Sequence, residues 1–318
     1  MELHQIFQKT AKLSLYMLVF LIPLWFLPIT QDYLNFQKQS LVIFLSLVSL
    51  VTWLLYKSKE EMKLRKNILN FFVVALISAT LLSTIFSLWP YASFWGLPLN
   101  VSSSFLTVLF LAVFFFLISN VLENQKEFSW LAFLFLTAVA LEGIFVILQL
   151  YRIFILPASF SKIATFNTIG SVNSVAMLCS ILLPLALLAA FSQKKMHRWL
   201  LLAYSAVFFI VIALVNFLFA WLALAIAFAV VAFFGVREMA KRQTASWIYV
   251  PIALLVISAF FLFTRFSLPG VPNLPIETYP NSQAEYRVMS NALKYNALLG
   301  TGPGTFTLNY AKYHTLSF

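Results

Sequence analysis

Charge is the scarcest property of this chain: Asp, Glu, Lys and Arg make up 10% of its 318 residues, against 62% apolar. A soluble domain carries about 25% charged and about 45–50% apolar residues, so a water-soluble globular class is excluded. Cysteine occurs once, as Cys179 inside an apolar run. No internal disulfide is possible, and the thiol reads as packing. With three histidines, the chain has no HExxH helix, cysteine–histidine cluster, Walker loop or GxSxG elbow. No metal and no cofactor is indicated. The net charge of +11 would suggest nucleic acid in a soluble chain. Here the basic residues fall in short turns between apolar runs, a pattern of membrane topology that implies no nucleic-acid partner.

What is present is apolar length, including 35 phenylalanines. The expected class is all-α, a polytopic transmembrane bundle of about nine spans over residues 1–264, followed by an external segment, 265–318. The spans are expected at Leu13–Ile29, Ser40–Tyr56, Ile68–Leu88, Ser104–Ser119, Trp130–Leu150, Asn173–Phe191 and Trp247–Thr264. Between the last two, Trp199 to Val236 carries no charge. It exceeds the roughly 20 residues that one helix needs to cross, so it divides into two spans turning near Asn216.

Orientation follows from the turns. With the N-terminus inside, inner segments hold 14 of the 21 Lys and Arg residues, five of them in KSKEEMKLRKN, Lys57 to Asn67. The outer loops before the tail hold Lys38, Arg152 and Lys162. Basic residues resist translocation, so the rich side is cytoplasmic and the tail lies outside.

Polar patterning returns only in SQAEYRVMSNALKYNALLGTGPGTF, Ser282 to Phe306. Ser282 and Glu285 fit a capping box. Tyr286, Met289 and Leu293 form one helical face, with Arg287, Asn291 and Lys294 opposite. Gly300 is expected to end this helix, and Gly302, Pro303 and Gly304 to make a tight loop beside the basic face. Arg287, near the helix start, then offers an anion site with backbone amides. The alternative is an amphipathic helix on a membrane surface. Within the spans, Glu142 is the one charge at membrane depth, either a functional carboxylate or a hydrogen-bonded tie between helices, with Gln149 as its partner. His314 is the only histidine on the outer side, and a lone tail histidine is usually solvated.

EYRVMSNALKYNALLGTGPGTFTLNYAKY, Glu285 to Tyr313, resembles the O-antigen ligase and O-antigen polymerase family of bacterial envelope glycan enzymes, with its arginine, small-residue helix end and GxGxxxF turn. FWGLPLNVSSSF resembles that family's first outer loop. ATFNTIGSVNSVAMLCSILLPLAL resembles its threonine–glycine–asparagine segment before an apolar helix. The resemblance implies a glycosyl transfer of lipopolysaccharide type: an undecaprenyl-diphosphate-linked glycan passes to a lipid or protein acceptor, without metal or nucleotide sugar, among membrane lipids. It implies Arg287 as the diphosphate-stabilising group, since a fixed guanidinium fork offsets growing phosphate charge. His314 is the weaker catalytic candidate, and Lys294, Gly300, Gly302, Gly304, Asn173 and Glu142 are the substrate-binding ones.

Three departures accompany the match. Phe217, Leu218 and Phe219 stand where the family carries Ser-Arg-Gly, and Asn100 stands where an arginine is frequent. His314 is followed by Thr315, not by the family's asparagine. These departures lead to the expectation of an inactive N-terminal part of a longer reading frame. Two other readings stay open: a transporter or flippase for an anionic lipid-linked substrate coupled through Glu142, and a non-catalytic envelope scaffold. The topology is directly testable. Alkaline phosphatase fused after Phe318 is expected to be active and a fusion near Arg65 inactive; the reverse pattern overturns the orientation.

Overall fold

Inside a bilayer a backbone has no water to bond, so helices, which satisfy their own amides, are the economical way across. The computed structural model describes residues 3–30, 32–58, 65, 67–98, 100–192, 196–242, 249–264, 274, 282–294 and 296–313. Among them all regular structure is helical, and the one β-type pairing is an isolated bridge between Leu97 and Asn100. Among the described residues, seven helices are long and apolar enough to cross a membrane. They are α1 (Leu3–Leu24), α2 (Asn35–Lys57), α3 (Ile68–Ile85), α6 (Gln125–Leu150), α7 (Val172–Ser192), α8 (Met196–Val215) and α9 (Leu218–Arg242). The apolar helices α5 (Phe105–Val121) and α10 (Tyr249–Thr264) are shorter. Between and after them come α4 (Pro90–Trp95), α11 (Ser282–Leu293) and α12 (Phe306–Tyr313). This is a multi-pass helical membrane protein.

Several boundaries move from their expected places for local reasons. α1 stops at Leu24 and not near Ile29, with Pro23 in its last turn and Pro28 beyond; neither proline has an amide to donate. α2 starts five residues before Ser40 because the Asp32 carboxylate accepts from the amides of Leu34 and Asn35, at 3.3 and 2.8 Å. The turn expected near Asn216 is there. α8 ends at Val215 and α9 begins at Leu218, and Asn216 takes a left-handed φ of 50°, which asparagine tolerates better than most residues.

The chain forms two compact units, residues 1–131 with 276–318, and residues 132–275. In the first, α1 packs on α2 and both contact α5. Ala11, Leu15, Trp53, Leu117 and Val121 make one buried cluster, and Leu18, Val42 and Leu45 a second. Ser49 lies on the α1–α2 contact and donates to the Ala11 carbonyl at 3.1 Å; a small polar residue there lets two backbones approach. At the end of this unit carrying the α5–α6 turn, Lys12 pairs with Glu127 at 2.8 Å. The Arg65 guanidinium donates to the Glu123 carbonyl at 2.9 Å. α3 is different. Of its 18 residues Thr84 alone is buried, as suits a helix that faces lipid on most sides.

The second unit contains the rest of α6 with α7 to α10. Its core joins Leu136, Val139, Cys179, Leu183, Phe208, Ile212, Trp221 and Phe228. Trp221 stacks on Phe261 with ring centroids 4.3 Å apart and planes 1° from parallel, and its indole NH donates to the Asn216 side chain at 2.8 Å. α6 meets α8 through a Thr137–Tyr204 hydroxyl contact of 3.1 Å and through Gly143. A methyl group on Gly143 would fall 2.9 Å from Val207 Cγ1 and 3.4 Å from Val211 Cγ2. Gly143→Ala is therefore expected to destabilise by about 1–3 kcal/mol through overpacking. Gly143→Leu is expected to prevent close α6–α8 contact altogether. Thermal unfolding in detergent checks this, and an unchanged Tm for both variants would show that the contact is slack.

Candidate functional site

Two stretches far apart in sequence meet in the first unit. After α11 the chain does not run on as helix to Gly300, as expected, but stops at Leu293. The cause is Asn296, whose Oδ1 accepts from the amides of Leu298 and Leu299 at 3.1 and 3.0 Å. This side-chain cap starts a separate turn, closed by the Gly300 amide on the Asn296 carbonyl at 2.9 Å. Gly300, at φ 66°, thus ends that turn and not the helix.

The turn is latched to the end of α3 and the loop after it. Ser83 donates to the Leu299 carbonyl at 2.7 Å. The Thr301 carbonyl accepts from Ser87 Oγ at 2.9 Å and from the Leu88 amide at 3.0 Å. Ser87 and Ser93 hydroxyls lie 2.6 Å apart beneath Gly302. A Cβ on Gly302 would collide with Ser87 and come 2.6 Å from Ser93 Oγ, and its φ of 104° also excludes other residues. Gly304 faces Ser103, with a hypothetical Cβ 3.3 Å from its hydroxyl. Behind the loop, Thr301, Thr305 and Asn309 are buried. Thr301 Oγ1 lies 2.9 Å from Thr305 Oγ1 and accepts from Asn309 Nδ2 at 2.7 Å, while Asn309 Oδ1 is buried without a hydrogen-bond partner.

The charged candidates stand apart from this latch. The covered side of α11 carries Val288 and Ala292, and α11 packs against α12. Arg287 and Lys294 are exposed, and Lys294 donates to Asn291 Oδ1 at 2.9 Å. Tyr286, Met289 and Leu293, the apolar helical face, are exposed too. Arg287 also lies in the second turn, whereas the free amides of a helix starting at Ser282 belong to its first four residues. The anion site at the helix start therefore does not include it. His314 lies outside the described residues.

The second unit holds Glu142 and Asn173. Glu142 is 1% exposed. Its Oε1 accepts from the Thr168 amide at 2.8 Å and its Oε2 from the Thr168 hydroxyl at 2.6 Å. Thr168 belongs to a tight turn in which Asn167 Oδ1 accepts from the amides of Ile169 and Gly170, at 3.0 and 2.7 Å. Gln149, two turns along α6, does not serve Glu142 but donates to the Ser161 carbonyl at 2.9 Å. Its Oε1 is buried and unpartnered. These two polar side chains thus hold the loop between α6 and α7 at two points. Asn173 is half-buried near the start of α7.

No family model, curated protein or solved structure matches the chain. The residues that reading the sequence missed are Ser83, Ser87, Ser93 and Thr168. Their one signal was polarity at the ends of apolar runs, which ordinary turns share. The latch makes its own test. Gly302→Ala is expected to weaken the Thr301–Leu88 hydrogen bond by about 1–3 kcal/mol, raising amide exchange at Leu88 about 5- to 150-fold. Gly300→Ala meets nothing within 4 Å but is strained by its φ of 66°; it is expected to do less, because it adds no collision with Ser87 and Ser93. Equal exchange in wild type and Gly302→Ala would mean that the loop is not seated on these serines.

Proposed function

We propose that this chain is an O-antigen ligase- or polymerase-like membrane protein that binds an undecaprenyl-diphosphate-linked glycan at the outer face of the inner membrane. The observation that supports this reading is the latch. Ser87 and Thr301, 214 positions apart, bring the glycine loop against the loop after α3, and Gly304 then lies against Ser103, within FWGLPLNVSSSF, so that two of the stretches that carry the resemblance meet. In this reading α5 and α10 also cross the bilayer, which makes nine spans with the N-terminus inside, and α11 lies outside. The acceptor is a lipid or a protein.

The exposed Arg287 supplies the phosphate contact, with Lys294 two turns along as a second positive charge. An arginine fork pairs two phosphate oxygens and stays protonated throughout. Charge leaving with the diphosphate would be stabilised by such a fixed cation. The transporter reading has less support, because a coupling carboxylate must exchange its proton and both oxygens of Glu142 already accept from Thr168. A structural tie explains that residue.

The test is binding of undecaprenyl diphosphate to detergent-solubilised protein. Loss of one charge-assisted contact is worth about 1.5–3 kcal/mol, or about 10- to 150-fold in affinity. Arg287→Ala is expected to lose that much, and Arg287→Lys nearly as much, because a point charge does not reproduce the fork. Lys312→Ala, on α12, serves as the unaffected control. Equal affinity for wild type and Arg287→Ala would remove Arg287 from the site and with it the proposed role.

A further inference from the structure

α11 has three sides, not two. At about 100° per residue, Val288 and Ala292 share the covered side. Tyr286, Met289 and Leu293 share a second, and Arg287 and Lys294 a third, adjacent to it. The second side is bare: Tyr286 is 66% exposed and Met289 47%. A few residues on, Leu298 is 96% exposed. This exposure is built in, since the Asn296 side chain holds the Leu298 amide and Ser83 holds the neighbouring Leu299 carbonyl. A leucine fixed so far out in water forgoes the free energy of its burial.

Ser83 also says how deep Leu298 sits. It lies in the last turn of α3, a helix long and apolar enough to cross a membrane and bare over most of its surface. Leu82, Ile85 and Phe86, around that same turn, are exposed. Just beyond it Trp89, Tyr91 and Trp95 are exposed, and such aromatic rings collect where acyl chains give way to headgroups. Leu298 is therefore tethered to the rim of a lipid-facing surface. The basic side of α11 matches the phosphates of that layer, as in helices that lie in a membrane interface.

We infer that the Tyr286–Met289–Leu293 side of α11 and the Leu298 tip form a membrane-dipping element, covered by the lipid leaflet at the α4 end of α3. The apolar side chains enter the acyl boundary and Arg287 and Lys294 stay among the headgroups. The inference is independent of any glycan chemistry and holds whether or not Arg287 binds a diphosphate.

The experiment uses the full chain with Cys179→Ser and a spin label on Leu298→Cys, Leu82→Cys or Lys126→Cys. The protein is reconstituted in vesicles of phosphatidylcholine and phosphatidylglycerol, and collision rates with oxygen and with a water-soluble nickel chelate are compared. Leu82 on α3 gives the lipid reference, and exposed Lys126 the aqueous one. The label at 298 is expected to match position 82, with high oxygen contact and nickel contact several-fold below position 126. Nickel contact like that of position 126 would leave the tip in water and overturn the inference. Shielding from both reagents would overturn it as well, by showing that protein and not lipid covers the tip.

Discussion

The Thr301 carbonyl is the point on which the glycine loop of the first unit is fixed. Two donors meet on it, the Leu88 amide and the Ser87 hydroxyl. A carbonyl in a loop must be satisfied somewhere, and here its partners lie at the end of a membrane helix more than two hundred positions earlier in the chain. Because Gly302 follows directly, the backbone can settle onto Ser87 and Ser93 with no side chain between. The result ties residues 282–313 to the end of α3. Without this tie the segment would be a polar tail with two short helices.

Both units use polar side chains sparingly and for the same purpose. In the first, serines near the end of α3 hold the glycine loop. In the second, Glu142 and Gln149 hold the loop between α6 and α7. A polar group facing hydrocarbon is expensive, so a loop beside a bundle is held by the few that the helices can carry. Hydrophobic burial builds each bundle and hydrogen bonds set the loops. This division explains why Glu142, the most conspicuous charge in the sequence, is engaged by a backbone amide and a hydroxyl of one threonine.

The helices and most of their breaks were legible from the chain alone. Long uncharged runs and the turn at Asn216 are local facts, and each helix is decided by residues within a few positions of one another; the end of α1 was expected near Ile29, five residues late, although Pro23 is a local signal too. The split of Trp199–Val236 into two helices followed from length alone. The end of α11 was misplaced at Gly300 because the capping power of Asn296 was overlooked beside a more familiar glycine signal. The sides of α11 were legible only in part. Helical spacing says which residues share a face, but not which face meets protein.

Composition together with the length of the apolar runs determined that this is a helical membrane protein, because a span needs about 20 successive apolar residues and a backbone in lipid must bond itself. Only the tertiary structure decided that Ser83, Ser87 and Ser93 receive the glycine loop, that Thr168 takes both oxygens of Glu142, and that Val288 and Ala292 are the covered side of α11. Each of these is settled by what lies opposite in space. A hydroxyl that bonds a carbonyl 214 residues away leaves no period, motif or charge pattern in the sequence around it.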